Sequence, residues 1–223
     1  MRSTSVKQHL ITVLVRQAHQ PRGLLGSLEG LLFAHRPSNR QRNRWVVDLL
    51  DVRPTDRVLE VGFGPGLAIG WLARRAREGR VYGIDHSEVM VRQASRRNAT
   101  AIRAGRVELI RTSVTTLPVF DEPLDAILAV NTVRMWPDPV RRLTELRGLL
   151  RPGGRIALVS QPRCPGATAE TTTRAGRELT DQLDRAGFTD ARLETLALDP
   201  PVACVLAANP LRQTSDVDGP GPA

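Results

Sequence analysis

Alternating glycines, Gly62, Gly64 and Gly66, lie between two carboxylates, Glu60 and Asp85, and this is the arrangement in the chain with the clearest chemical meaning. Glu60 lies in one short apolar segment, and Asp85 ends the next one. Glycines at this spacing allow a tight turn in which the backbone approaches a ligand closely. In a pair of neighbouring parallel strands, a carboxylate after the second strand accepts hydrogen bonds from ribose hydroxyl groups. The residues therefore predict a nucleoside site at the ends of two strands.

The spacing of the glycines distinguishes between classes of nucleoside ligand. A dinucleotide fingerprint, Gly-x-Gly-x-x-Gly, would need glycine at position 67 or 69, where the chain has Leu67 and Ile69. The sequence has Glu-x-Gly-x-Gly-x-Gly instead. With this motif, and over about residues 36–208, the chain resembles the class I S-adenosylmethionine-dependent methyltransferases. It is most similar to the small-molecule type that includes the ubiquinone and menaquinone C-methyltransferases.

This resemblance implies that S-adenosyl-L-methionine is the cofactor, and that a methyl group passes to a small-molecule acceptor by in-line displacement. Glu60 and the three glycines would hold the methionine part, and Asp85 would accept from both ribose hydroxyls. Asn131, after the fourth predicted strand, would line the methionine end. His86, Ser113 and Val114 would contact the ribose or adenine.

Two of these positions have a simpler interpretation that the sequence leaves open. Ser113 stands where the family often has an acidic residue that accepts from the adenine amino group, and a neutral serine is a weaker acceptor. It is a cofactor contact or a surface turn residue. His86 lines the cofactor or is a solvated loop histidine.

The acceptor side of the expected site has fewer candidates. Trp136 would form a wall of the acceptor pocket, or it packs beneath its own loop. Asn39 would bind substrate or, with Asn43, order the cofactor carboxylate; the alternative is a helix cap beside a solvated basic face. His35 is a weak candidate for a general base, and catalysis without an acid–base residue stays open because proximity and a dry site supply much of the rate.

Apolar segments alternate with helix-like segments along most of the chain, a pattern typical of βα units. The predicted fold class is α/β, a doubly wound seven-stranded, mostly parallel sheet with a Rossmann-like methyltransferase fold. Arg151–Gly154 contains Pro-Gly-Gly and predicts a turn, and the last two strands should form an antiparallel hairpin. Strands are predicted at 57–61, 81–84, 106–110, 124–130, 155–160, 191–198 and 202–208, and helices at 67–77, 87–98, 139–150 and 172–186.

Three regions are predicted along the chain. Residues 1–53 would form an N-terminal helical lid, with helices at 8–18, at 24–34 and from Ser38 onward. Residues 54–210 would form the S-adenosylmethionine-binding domain. Residues 211–223 are polar and rich in Gly and Pro, as expected of a disordered tail.

Composition narrows the class of function. The chain has 223 residues and 41% hydrophobic content, as in a globular domain, with no apolar run long enough to span a bilayer. It has two distant cysteines and no recognisable signal peptide, which predicts a cytoplasmic protein without a metal site.

The formal net charge of +9 raises the question of a nucleic-acid partner. Lys7 is the single lysine among 32 basic residues, and the excess is spread along the chain, so a solvated arginine-rich surface explains it better. Nucleic acid is therefore a disfavoured partner. An RNA methyltransferase and a non-catalytic cofactor-binding subunit remain the alternative functions, and a homodimer is compatible with the leucine-rich face of residues 24–32.

Overall fold

The computed structural model of this protein describes residues 37–164 and 166–211. These residues form one seven-stranded sheet in the order β3-β2-β1-β4-β5-β7-β6, with helices on both faces, so the predicted fold class is confirmed. The strands are β1 Arg57–Val61, β2 Arg80–Asp85, β3 Val107–Arg111, β4 Leu124–Val130, β5 Leu150–Ser160, β6 Thr189–Leu196 and β7 Val202–Ala208. The helices are α1 Pro37–Leu49, α2 Leu67–Arg75, α3 Glu88–Arg97, α4 Ala99–Arg103, α5 Pro139–Leu149 and α6 Ala169–Arg185, with a 3₁₀ turn at Val133–Met135.

The first five strands pair in parallel, whereas β7 pairs antiparallel with both β5 and β6, as the predicted hairpin requires. The order of the strands reverses between β1 and β4, since the chain adds β2 and β3 on one side of β1 and returns to the other side. Ligands of open α/β sheets bind at such a switch point, at the carboxyl ends of the strands.

Both faces of the central strands are buried, and alternate residues of each strand belong to different cores. Val58 of β1 packs in the cluster covered by α1 and α2, while its neighbour Leu59 packs in the cluster covered by α5 and α6. The predicted strand Leu124–Val130 is buried on both faces, since all of its residues except Asp125 are buried.

Helix α1 belongs to the first of these cores. Val46, Val47 and Leu50 are at most 2% exposed and pack in the same cluster as β1 and α2. A domain boundary at residue 53 therefore cuts through a continuous hydrophobic core. The predicted helices at 8–18 and 24–34, and residues 212–223 of the predicted tail, lie outside the described residues.

The largest difference from the predicted elements is at Arg151–Gly154, which is not a turn but part of β5. Leu150 already pairs with Leu124, and the register then shifts before Ala126 pairs with Arg155. Gly153 adopts φ +70° in this irregularity, and its N–H donates to Asn209 O at 2.9 Å. Pairing across the sheet thus overrides the local turn preference of Pro-Gly-Gly.

Smaller differences follow from helix ends. Helix α3 begins one residue later than predicted because Ser87 is its cap, accepting from Met90 N, and α6 begins earlier, at Ala169, because Thr168 and Thr171 form a capping box. The short helix α4 was not predicted.

A buried ion pair joins the start of β1 to β5. Arg155 Nη2 contacts Asp56 Oδ2, and the Arg155 guanidinium also donates to Leu50 O and Asp51 O at 3.0 and 3.2 Å. The Asp56 side chain is 4% exposed. The pair therefore holds the α1–β1 connection against the sheet at the edge opposite the glycine turn.

We expect Arg155→Met to lower the free energy of unfolding by about 3–5 kcal/mol, because it leaves the Asp56 carboxylate buried without its partner. Urea unfolding measures this. Arg185→Met is the control, since Arg185 and Asp181 are both about two-thirds exposed and such pairs contribute about 0–1 kcal/mol. Equal losses in the two variants would contradict the structural role of the buried pair.

Candidate active site

The loop that follows β1 lies at the switch point of the sheet, where the sequence predicted a nucleoside site. Gly62 N donates to Ile84 O of β2 at 2.8 Å, and Gly66 N donates to Phe63 O at 3.0 Å. On the next strand, Thr112 N donates to Asp85 O at 3.2 Å. The ends of β1, β2 and β3 are thereby brought together into one edge.

The three glycines of the loop all have positive φ but face different surroundings. A Cβ at Gly62 would lie 2.4 Å from Thr132 Cγ2, and one at Gly66 would lie 2.6 Å from Ala94 Cβ. A Cβ at Gly64 would meet no described atom within 4 Å. Gly62 and Gly66 are thus required by protein packing, and only Gly64 borders open space that a ligand could fill.

Asp85 anchors the glycine loop. Its Oδ2 accepts from Gly64 N at 2.9 Å and its Oδ1 from Ser87 N at 2.8 Å. Burial raises the pKa of Asp85 above its usual value, and these two N–H groups and nearby His86 partly offset that effect. The carboxylate is 8% exposed, and its lone pairs beyond those two hydrogen bonds remain available to a ligand.

Glu60 is the more unusual carboxylate of the site. It is 2% exposed, and its Oε2 has no hydrogen-bond partner among the described residues. Burial, and then the charge of Asp85, raises the pKa of Glu60 from 4.5 to about 8, against smaller lowering effects of the Ile69 N–H and of Arg42. An unpaired buried carboxyl group of this kind is suited to binding a cation supplied by a ligand.

Arg42 of α1 was missed by sequence analysis, which singled out Asn39 and Asn43 instead. It is 8% exposed and donates through Nη1 to Gln161 Oε1 at 2.9 Å. Burial, and then the nearby Arg163, lowers the pKa of Arg42 to about 10, while Glu60 raises it. A guanidinium that is buried next to another guanidinium favours the approach of an anion.

Gln161 connects α1 to the strand ends. Its Oε1 also accepts from Arg163 Nη2 at 2.8 Å, its Nε2 donates to Pro200 O at 2.8 Å, and its backbone N donates to Asn131 Oδ1 at 2.7 Å. Asn131 itself has φ +59°. Asn131, which the sequence predicted as a site residue at the end of β4, is therefore connected to Arg42 through Gln161.

The residues after β3 lie where the sequence analysis expected them, but Ser113 is engaged locally. Its Oγ accepts from Thr115 N and Thr115 Oγ1 at 3.3 and 3.1 Å, which is the turn role considered as the alternative. Val114 is buried in the core cluster that contains Leu59. His86 is half exposed, with its Nδ1 3.9 Å from Asp85 Oδ1. Their contacts with adenine or ribose stay a prediction.

Two of the residues predicted on the acceptor side, Trp136 and Asn39, are buried. Trp136 is 9% exposed and packs among the core residues under α5 and α6, in agreement with the alternative that it supports its own loop. Asn39 is buried on α1, where its carbonyl accepts from Asn43 Nδ2 at 2.7 Å. His35 lies outside the described residues.

A cavity of about 230 Å³ opens beside Asn131, between the loops that follow β4 and β5 and one face of α6. Its lining comprises Asn131, Thr132, Val133, Arg134, Val159, Ser160, Pro162, Cys164, Thr171, Arg174, Ala175, Glu178, Leu179 and Gln182. It is smaller than the pockets that hold drug-sized ligands. The sequence does not indicate this cavity, because its α6 wall comes from a segment without a motif.

Within residues 37–164 and 166–211, no cluster of three or more His, Cys, Asp or Glu residues could hold a metal ion. In the same ranges, every helix is too short or too polar to cross a membrane.

Comparisons with known proteins agree with the geometry of the site. Residues 58–154, which contain the glycine turn, Asp85 and Asn131, match a family described as "Methyltransferase domain". The chain is 32% identical over 173 residues to the uncharacterized methyltransferase YdaC of Bacillus subtilis, covering 77% of this chain and 93% of YdaC.

Two further proteins are similar to this chain. The ubiquinone/menaquinone biosynthesis C-methyltransferase UbiE of Geotalea daltonii is 30% identical over 128 residues, 56% of this chain and 54% of UbiE, so the match spans about half of that enzyme. The solved structure of the N-methyltransferase NodS from Bradyrhizobium japonicum with S-adenosyl-L-homocysteine has a TM-score of 0.64 at 19% identity, covering 80% of this chain and 90% of NodS. The NodS comparison establishes the fold.

Three findings lead to the same family: the sequence motif, the strand order, and the match across nearly the whole length of YdaC. The chain belongs to the methyltransferase family, as a class I enzyme whose methyl donor is S-adenosyl-L-methionine.

Proposed function

We propose that this enzyme methylates a small molecule, with the cofactor bound across the ends of β1, β2 and β4 and the acceptor in the cavity beside Asn131. The observation that supports this most directly is the open space at Gly64, which is bordered by the loop and Asp85. Glycine is not required there by the surrounding protein atoms, in contrast to Gly62 and Gly66. The positive φ of Gly64 favours glycine, and the open space beside it would let a ligand approach the backbone.

The polar groups of the site fit the functional groups of S-adenosyl-L-methionine. Glu60, with an unpartnered buried oxygen, would bind the ammonium group of the methionine part. Arg42 would bind its carboxylate, since it lies in a buried cluster with Gln161 and a second guanidinium. Asp85 would accept from the ribose hydroxyls while it holds Gly64, and the end of β3 would contact the adenine.

When bound, the cofactor supplies an electrophilic methyl group on a sulfonium. The chain's contribution is to orient donor and acceptor and to exclude water. Asn131 is held at the junction of the cofactor site and the cavity by its hydrogen bond to Gln161 N. The proposal also includes His35 as a general base and Trp136 and Asn39 as acceptor contacts. It places the protein in the cytoplasm.

We expect Asp85→Ala to weaken the binding of S-adenosyl-L-homocysteine at least tenfold, or about 1.4 kcal/mol, measured by isothermal titration. The variant loses both the ribose acceptor and the anchor of Gly64. Asp125→Ala is a matched control. Asp125 also accepts two hydrogen bonds, from Arg57 N at 2.8 Å and from Arg151 Nε at 2.6 Å, but it lies at the opposite end of the strands. Comparable binding by Asp85→Ala and wild type would refute the proposed nucleoside site.

Gly64→Ala tests whether the open space at this glycine belongs to the cofactor. Gly105, before β3, also has positive φ and open space around its Cβ position. Both alanine variants should therefore lose a similar stability of roughly 1 kcal/mol from backbone strain. Only Gly64→Ala should weaken cofactor binding, about tenfold or more. If Gly105→Ala weakens it as much, strain rather than ligand contact explains the effect.

The pKa of Glu60 makes a pH-dependent prediction for the unliganded protein. Because this pKa is about 8 in the folded state, against 4.5 as its ordinary value, the folded protein binds more protons than the unfolded chain between these pH values. Below pH 4.5 the Glu60 carboxyl group is protonated in both states, and its contribution to the free energy of unfolding is fully present. This contribution is lost as the pH rises through 8, because the buried group then ionises. Glu60→Gln does not ionise, so its melting temperature should exceed that of wild type by roughly 3 °C or more at pH 8–9 and by less at pH 5.

The same variant should bind S-adenosyl-L-homocysteine at least about tenfold more weakly, because an amide does not neutralise an ammonium group. Glu108→Gln, an exposed residue on β3 paired with Arg80, is the control for both measurements. A Glu60→Gln protein that is less stable than wild type at pH 9, or that binds the ligand normally, would contradict the assignment.

A further inference from the structure

Two arginines from different elements line the cavity that we assign to the acceptor. Arg134 lies in the 3₁₀ turn after β4, and Arg174 lies on the face of α6 that closes the cavity. Both are exposed, and neither forms an ion pair within residues 37–164 and 166–211.

The lack of an ion pair at Arg174 is informative because potential partners are close in sequence. Glu170 and Glu178 are four residues away on the same helix, at the spacing that usually allows a salt bridge. Farther along α6, Arg185 does pair with Asp181 at that spacing, with 3.4 Å between Nη1 and Oδ2. The guanidinium of Arg174 therefore borders the cavity without forming an ion pair to either glutamate in the described part of the chain.

The rest of the cavity wall is suited to the carbon skeleton of a small molecule. Val133, Val159 and Leu179 supply apolar surface next to the two cations. Glu178 also lines the cavity, so the fixed charge of the lining is two positive groups against one negative group. The net charge of +9 on the chain adds a long-range field that attracts anions.

We infer that the acceptor is a small organic acid, whose carboxylate binds Arg134 and Arg174 while its carbon skeleton contacts the apolar wall beside Asn131. This inference rests on the proposed function, because it assigns the cavity to the acceptor. Planar guanidinium groups recognise carboxylates through paired, charge-assisted hydrogen bonds, which makes arginine well suited to this task. A cavity of about 230 Å³ limits the acid to one smaller than a drug-sized ligand.

The test uses two probes of the same shape, benzoate and the uncharged benzamide, titrated into the full chain saturated with S-adenosyl-L-homocysteine. Benzoate should bind about tenfold more tightly than benzamide to the wild-type protein. Arg134→Gln and Arg174→Gln should each reduce this preference severalfold, and the double variant should abolish it. Arg177→Gln is the matched control, because Arg177 is an exposed arginine on α6 that does not line the cavity.

The outcomes separate this inference from the proposed function. The inference is overturned if benzoate and benzamide bind equally, if the preference for benzoate survives in the double variant, or if it falls equally in Arg177→Gln. In each of these cases, binding of S-adenosyl-L-homocysteine leaves the proposed function intact. Failure of S-adenosyl-L-homocysteine to bind overturns both. Loss of the preference only in the Arg134 and Arg174 variants supports the organic acid.

Discussion

The two hydrogen bonds accepted by Asp85 hold the site together, since they connect the end of β2 to the glycine loop after β1 and to the start of α3. Phe63 packs in the core and Asn98 Nδ2 donates to Gly66 O at 3.0 Å, so both ends of the loop are held by other contacts, whereas Gly64 has no side chain of its own. A buried carboxylate that accepts two backbone N–H groups supplies the rigidity instead. The Asp85 carboxylate thus fixes the middle of the loop at Gly64, next to the open space.

The other buried charges of the site are poorly compensated within the protein. Glu60 has an oxygen without a partner, and Arg42 shares an amide oxygen with Arg163. Removing such groups from water is costly unless opposite charge is close by. Under the proposed function, a ligand with both an ammonium and a carboxylate group would supply opposite charge to both residues, and its binding would stabilise the folded protein.

The sequence predicted the parts of this structure that are determined locally. The strand–glycine–strand segment of residues 57–85 and the apolar strand β4 both lie within short stretches whose composition specifies their conformation. Arg42 could not be recognised in this way, because it is one of several arginines in α1 and only packing against the β5 loop distinguishes it. The cavity likewise depends on contacts between segments about 40 residues apart, and the start of β5 depends on pairing with β4 rather than on its own Pro-Gly-Gly.

The different surroundings of the three glycines have a consequence for relatives of this protein. Thr132 and Ala94 exclude a side chain at Gly62 and Gly66 whether or not a cofactor binds, so folding alone preserves those two positions. At Gly64 the protein itself imposes only a modest backbone preference. If Gly64 borders the cofactor as proposed, a descendant that kept the fold but abandoned methyl transfer would keep only the backbone preference at this central glycine, whereas packing would still require the outer two.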